Sequence, residues 1–219
     1  MPTRLLTQAQ ASKLLERLAK AYPDARCSLN YRNSLELLIA TILSAQCTDV
    51  LVNQVTPFLF ATYRTAQDFA RTNRSDIEQA IRRVNFLRMK ARAIHEACQT
   101  IVQEFDGEVP RTMGGLLRLR GVARKTANVV LGNAFKTPAG VVVDTHVMRI
   151  AQRTGLTAQT DRNKIEQDLM ARVPRSDWTS FSHRVIAHGR QVCKAIKPLC
   201  GTCPIGETLC PSFERSKKS

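Results

Sequence analysis

The chain has 219 residues and 43% apolar content, enough to bury a core in one large domain or two small ones, so it is not a disordered basic tail. Thirty-three Lys and Arg against 18 Asp and Glu leave a formal net charge of +15, which points to a polyanionic partner without choosing among nucleic acids. No apolar run of roughly 18 residues is present and Met1 to Leu6 lack the apolar stretch of a secretory signal, so the expectation is a cytoplasmic protein with no membrane partner.

Taken in order, residues 1–26 read as one amphipathic helix with Leu14, Leu15 and Leu18 on a shared face, stopped by Tyr22-Pro23-Asp24. Asn30 to Asn33 is a polar break, and Ser34 is placed to cap a helix starting at Leu35. Leu43-Ser44-Ala45-Gln46-Cys47-Thr48-Asp49 interrupts the apolar run before a helical pattern from Val50 to about Phe60. Ser75-Asp76-Ile77-Glu78 has the form of a capping box, ahead of Ile77, Ile81 and Val84. Asn85-Phe86-Leu87 is a second break. Ile94, Ala97, Cys98, Ile101, Val102 and Phe105 then form a strong helical stripe, ended by Asp106-Gly107 and Pro110.

Leu116 to Leu131 reads as a short helix, a tight turn at Gly121 and a second helix with Lys125 in its first turn. A helix start offers backbone N–H groups and the positive end of a dipole, which suits a phosphate. That positive potential also disfavours an ammonium, making a lysine there a candidate amine nucleophile. Val141-Val142-Val143 has strand propensity but no partner strand, so it reads as a buried connection into a helix capped by Asp144. Helical patterns follow over Ile165 to Val173 and Trp178 to His188, then a basic tail, Arg215 to Ser219. The fold class is all-α.

Of seven cysteines, four fall within eighteen residues as Cys193-x6-Cys200-x2-Cys203-x6-Cys210. With no export signal, such clustering favours metal over disulfides. The spacing leaves an iron–sulfur cluster, zinc and unligated thiols open. A single close pair and wide unequal loops lean towards a bulky cluster.

Together these residues resemble the endonuclease III family of bifunctional DNA glycosylases. Gly121 to Val130 is similar to its helix–hairpin–helix with a catalytic lysine, Val143 to Arg149 to its catalytic-aspartate segment, and the four cysteines to its [4Fe–4S] loop. Leu43 to Asp49 and His188-Gly189-Arg190 add to the likeness, which covers nearly the whole chain. The resemblance implies two helical lobes. One is a six-helix barrel with the helix–hairpin–helix, over 27–138. The other takes 1–26 plus 139–219 and holds the C-terminal iron–sulfur cluster loop. It implies a monomer acting on double-stranded DNA that carries damaged pyrimidines or abasic sites, with the target nucleotide flipped into a pocket between the lobes.

The resemblance further implies a catalytic pair, Lys125 and Asp144. Lys125 forms a Schiff base with the sugar, β-elimination cuts the strand, and Asp144 assists proton transfer. Metal ligands are Cys193, Cys200, Cys203 and Cys210. DNA-binding residues are Gln46, Phe86, Arg120, Gly121, Val122, Ala123, Arg124, His146 and Arg190, with Gln46 and Phe86 filling the gap left by the flipped nucleotide.

The chain departs from the family pattern in several places. Arg120 stands where proline is usual. Ala123 stands where a second glycine is usual, so a strained hairpin or a looser phosphate grip is expected. The last cysteine gap has six residues instead of five. A catalytically weakened helix–hairpin–helix DNA-binding paralogue, or a glycosylase of different lesion preference, are the alternatives. The relatives that remove adenine lack the hairpin lysine and carry a glutamate near Leu38-Ile39-Ala40-Thr41, where this chain has none.

Overall fold

The structure is a computed structural model and describes residues 4–213, so the expected basic tail lies outside the described residues. All regular elements among them are helical, and no strand occurs. The chain divides into two compact units, Cys27–Ala139 and Met1–Arg26 with Gly140–Ser219.

The Cys27–Ala139 unit is built around α2 (Ser34–Leu43), which is apolar on every side and buried from Glu36 to Leu43. A helix apolar all round has to be enclosed by others. Around it run α3 (Asp49–Thr62), α4 (Ala66–Arg71), α5 (Arg74–Ala80), α6 (Leu87–Glu104), α7 (Met113–Leu117) and α8 (Arg124–Asn133): α3, α6 and α8 pack directly on α2, α4 and α5 pack on α6, and α7 packs on α8. The one carboxylate inside this wall, Glu36, is compensated on both oxygens: Arg32 Nη2 lies 2.7 Å from Oε1 and the Arg32 N–H donates to Oε2 at 2.7 Å. Burying it unpaired would cost far more than the core gains there.

Three local expectations are corrected. Asn33, not Ser34, caps α2, its side chain accepting from the Glu36 N–H at 2.9 Å. Ser75 caps nothing: α5 begins at Arg74 after Asn73 and has no side-chain cap. The helix behind it stops at Ala80, so Ile81 and Val84 enter the core from a turn, not from a helical face. The short helix α4 was not foreseen, although Thr65-x-x-Asp68 forms a complete capping box at its start.

The second unit contains α1 (Gln8–Ala21), α9 (Thr145–Thr154), α10 (Arg162–Arg172), α11 (Trp178–Gln191) and the cysteine loop. Its first helix is shorter than residues 1–26, starting after a Thr7–Gln10 capping box. Leu14 and Leu18 of α1 share a core with Val147 and Ile150 of α9, Ile165 and Leu169 of α10, and Phe181 and Val185 of α11. Val141 to Val143 is a buried connection, as expected, and the Val142 N–H is satisfied by Ser182 Oγ at 3.1 Å.

Candidate functional site

The hairpin forms because α7 ends at Leu117 while two backbone bonds tighten the chain behind it. The Leu119 N–H donates to Leu116 O and the Val122 N–H to Leu119 O, both at 3.1 Å. Leu116, Leu119 and Val122 are buried, so the turn is pinned by its apolar residues and its polar ones face out. Gly121 has φ +78°, and a Cβ there would sit 2.8 Å from the Cβ of Ala93 on α6. Only glycine meets both conditions.

Ala123 is the residue before α8, with φ −94° and ψ 172°. That is extended backbone open to any residue, so the expected strain from alanine is absent. Alanine has no side-chain oxygen, and α8 accordingly has no side-chain cap at its N-terminus. Arg124 and Lys125 stand exposed in that uncapped first turn. Arg120 is exposed too, its Nε 3.9 Å from Glu96 Oε2 on α6.

Gln46 and Phe86 lie in two turns of the same unit. Both take the left-handed region, at φ 52° and 57°, where non-glycine residues are uncommon. Phe86 is 54% exposed, which rules out the ordinary core aromatic. The turns are tied together: Asn85 Nδ2 donates to Gln46 O at 3.3 Å. Lys90, which sequence reasoning passed over, is buried and donates from Nζ to Leu43 O at 2.7 Å, fastening α6 to the end of α2. Burial lowers its pKa, against an opposing pull from Cys47.

Asp144 belongs to the other unit and is the N-cap of α9, its carboxylate accepting from the Val147 N–H at 2.8 Å. The bond fixes one carboxylate oxygen, and the residue remains half-exposed. Two residues on, His146 is packed against α11: a Cβ on Gly189 would lie 2.7 Å from its Nδ1. Arg149 Nη2 lies 3.1 Å from the same nitrogen. Burial lowers the His146 pKa; Asp144 opposes the shift, while Arg149 and Arg190 reinforce it. Arg190 is exposed in the last turn of α11.

Cys193, Cys200, Cys203 and Cys210 all line one cavity. Among the described residues no group of three or more Cys, His, Asp or Glu is arranged for a single metal ion. Burial raises the Cys203 thiol, and pushes Cys210 up to about 11, while backbone N–H groups of Ile205 and Gly206 at Cys203 and of Ser212 at Cys210 oppose it. A cation at these sulfurs would displace the protons.

Side chains whose role at the loop sequence reasoning missed hold it in place. Arg153 donates from Nη1 to Cys193 Sγ at 3.4 Å and to Lys194 O at 2.7 Å, and from Nη2 to Ala195 O at 2.9 Å. Arg149 donates to Cys193 O at 2.9 Å. His188, fully buried, places Nε2 3.7 Å from Cys203 Sγ and Nδ1 2.9 Å from Tyr22 OH. Burial, with the nearby Arg149 charge, pushes this imidazole down to about 4. A histidine five residues before the first cysteine of the cluster (193 − 188) was the available signal for it.

The family model of the HhH-GPD superfamily base excision DNA repair protein matches residues 39–175. Endonuclease III of Synechocystis sp. is 55% identical over 207 residues, 94% of each chain. Endonuclease III of Escherichia coli K12 is 36% identical over 210 residues, 96% of this chain and 99% of its own. Among solved structures, a trapped endonuclease III–DNA covalent intermediate superposes with a TM-score of 0.92 at 43% identity, covering 97% of this chain and all, 100%, of that one. A thermostable thymine-DNA glycosylase, 21% identical, shares the fold at a TM-score of 0.86 over 94% of this chain and 98% of that one. An exposed lysine in an uncapped turn, a half-exposed aspartate cap and a four-cysteine cavity thus sit in a sequence that matches the endonuclease III of Synechocystis sp. over 94% of its length, and the chain belongs to the endonuclease III family, the DNA glycosylase and abasic-site lyase branch of the HhH-GPD base excision repair superfamily.

Proposed function

We propose that this glycosylase removes oxidised pyrimidines from double-stranded DNA and cleaves the resulting abasic site through a Schiff base on Lys125. The observation that carries the reading is the exposed Lys125 in the uncapped first turn of α8, directly behind the Gly121 turn. First-turn N–H groups that no side chain caps are suited to a DNA phosphate. A phosphate there holds the backbone in register with an amine one residue into the helix. That a related endonuclease III was captured as a covalent intermediate with DNA supports the same chemistry.

In this scheme the Lys125 amine attacks C1′ of the damaged nucleotide and the base departs. The sugar ring opens to an imine between Lys125 Nζ and C1′. The imine acidifies the C2′ proton, whose loss expels the 3′ phosphate by β-elimination. Asp144, with one oxygen fixed by the Val147 N–H, keeps its other oxygen for moving protons and for stabilising positive charge that develops on the sugar.

Gln46 and Phe86 serve as wedge residues, supported by their exposed, left-handed turns. Arg120, Gly121, Val122, Ala123, Arg124, His146 and Arg190 serve as DNA-contacting residues. The four cysteines lining one cavity suit a [4Fe–4S] cluster, which Cys193, Cys200, Cys203 and Cys210 would hold and which would cross-link the loop. The net charge of +15 is suited to a monomer held on DNA in the cytoplasm, and no described helix is long and apolar enough to cross a membrane.

Borohydride reduction in the presence of an abasic duplex tests the central step. The wild type is expected to give a covalent protein–DNA band, and Lys125→Ala to lower its rate by more than about a thousand-fold. An untrapped wild type rejects the Schiff base. Absorbance in the thiolate–iron charge-transfer region, with an iron assay, separates the cluster from zinc.

A further inference from the structure

The four cysteines are not held alike. Cys193 receives Arg153 Nη1, and Cys210 Sγ faces Arg153 O at 3.8 Å. Cys203 is bonded by the backbone N–H groups of Ile205 and Gly206, and it alone among the four has a buried imidazole against its sulfur among the described bonds, His188 Nε2 at 3.7 Å. The other ring nitrogen of His188 is occupied by Tyr22 OH at 2.9 Å, and the two rings meet edge to face with centroids 5.7 Å apart.

The chemistry of the partners orders this chain of contacts. A ligating cysteine is a thiolate and can only accept, so Nε2 must carry the proton. A neutral imidazole with its proton on Nε2 must accept at Nδ1, so the Tyr22 hydroxyl donates there. Tyr22 therefore selects the one tautomer of His188 able to donate to Cys203.

We infer that Tyr22 and His188 form a positioning relay, Tyr22 O–H to Nδ1 and Nε2–H to Cys203 Sγ, that withdraws electron density from this one thiolate and so raises the reduction potential of the group the cysteines hold. The inference rests on the cluster reading of the cysteine cavity. Hydrogen bonds to a ligating sulfur stabilise the more negatively charged, reduced state, and a buried donor does so more strongly than an exposed one. Because the contact reaches one of four ligands, its loss changes the potential more than it changes metal content. The residue that ends the N-terminal helix is thereby coupled to the electronic state of a loop 181 positions further along the chain (Tyr22 to Cys203, 203 − 22).

The full-length protein decides this with three variants: Tyr22→Phe, His188→Leu and His188→Gln. Glutamine carries an amide N–H near the position of Nε2 and is the rescue. Iron per chain, the thiolate–iron charge-transfer band and the midpoint potential by film voltammetry are measured for each. The expected result is a lower potential and a band at longer wavelength in His188→Leu, a smaller shift of the same sign in Tyr22→Phe, and near-wild-type values in His188→Gln. Identical potentials in wild type and Tyr22→Phe overturn the relay, and they decide the matter alone if the leucine variant does not fold. A potential that falls equally in the glutamine and leucine variants also overturns it, because packing and not donation would then be responsible. A wild type without iron overturns the cluster reading together with the relay, whereas iron with unmoved potentials overturns the relay only.

Discussion

The hairpin and the cysteine loop both present a working surface at the end of a helix, but their polar groups are treated in opposite ways. The hairpin is held from inside by Leu116, Leu119 and Val122 and leaves its polar edge bare, with no side-chain cap on α8. The cysteine loop also buries Ile205 and Leu209 in its unit's core, but its polar groups are tied down by donors from other helices: Arg149 and Arg153 of α9, and His188 of α11, which Tyr22 just past α1 bonds in turn. The first arrangement keeps backbone N–H groups available to a ligand from solution. The second engages the carbonyls of Cys193, Lys194 and Ala195 and the sulfurs of Cys193 and Cys203 internally, as suits a permanently held group.

Arg153→Ala strikes the loop hardest. It deletes contacts to Cys193 Sγ, Lys194 O and Ala195 O, and the expected cost is about 3 kcal/mol with loss of metal, read from the denaturant midpoint and iron content. A variant that keeps both would mean the loop is self-supporting.

Gly121→Ala attacks the hairpin from the backbone side. Its φ of +78° and the 2.8 Å approach to Ala93 give an expected loss of about 2 kcal/mol, with weaker binding to an abasic-analogue duplex. Unchanged thermal stability would contradict the role assigned to this turn.

Ala123→Ser makes the smallest and most discriminating change. A serine here can cap α8 and is expected to stabilise the protein by about 1 kcal/mol, while occupying N–H groups that a phosphate would use. Higher stability with lower DNA affinity supports the bare edge; a gain in both would show that the first turn of α8 is not where DNA is held.

The hairpin was legible in the sequence because its signals are local. Gly121, the apolar spacing around it and Lys125 lie within a few residues of one another, and Asp144 announces its cap by position alone. The cysteines were legible by spacing. The contacts that hold them were not, because Tyr22 with His188 and Arg153 with Lys194 are pairings made by tertiary packing. The wedge turns were half-legible: polar breaks marked Gln46 and Phe86, but a left-handed φ at a glutamine and a phenylalanine runs against their propensities. The false cap at Ser75 shows the reverse failure, a good local pattern displaced when the helix began two residues earlier, at Arg74 after Asn73. Ala123 is the instructive departure, since a missing glycine signals strain only where φ is positive, and here it is not.

The left-handed turns at Gln46 and Phe86 set two properties of the molecule against each other. Glycine at either position would relieve the backbone and, through that relief, favour the folded state. It would also widen the conformations open to the turn and remove the side chain it presents. A search for thermostable variants of this chain would therefore meet its trade-off here: the substitutions that calm the backbone are the ones that loosen what the Asn85 and Lys90 clamps keep rigid.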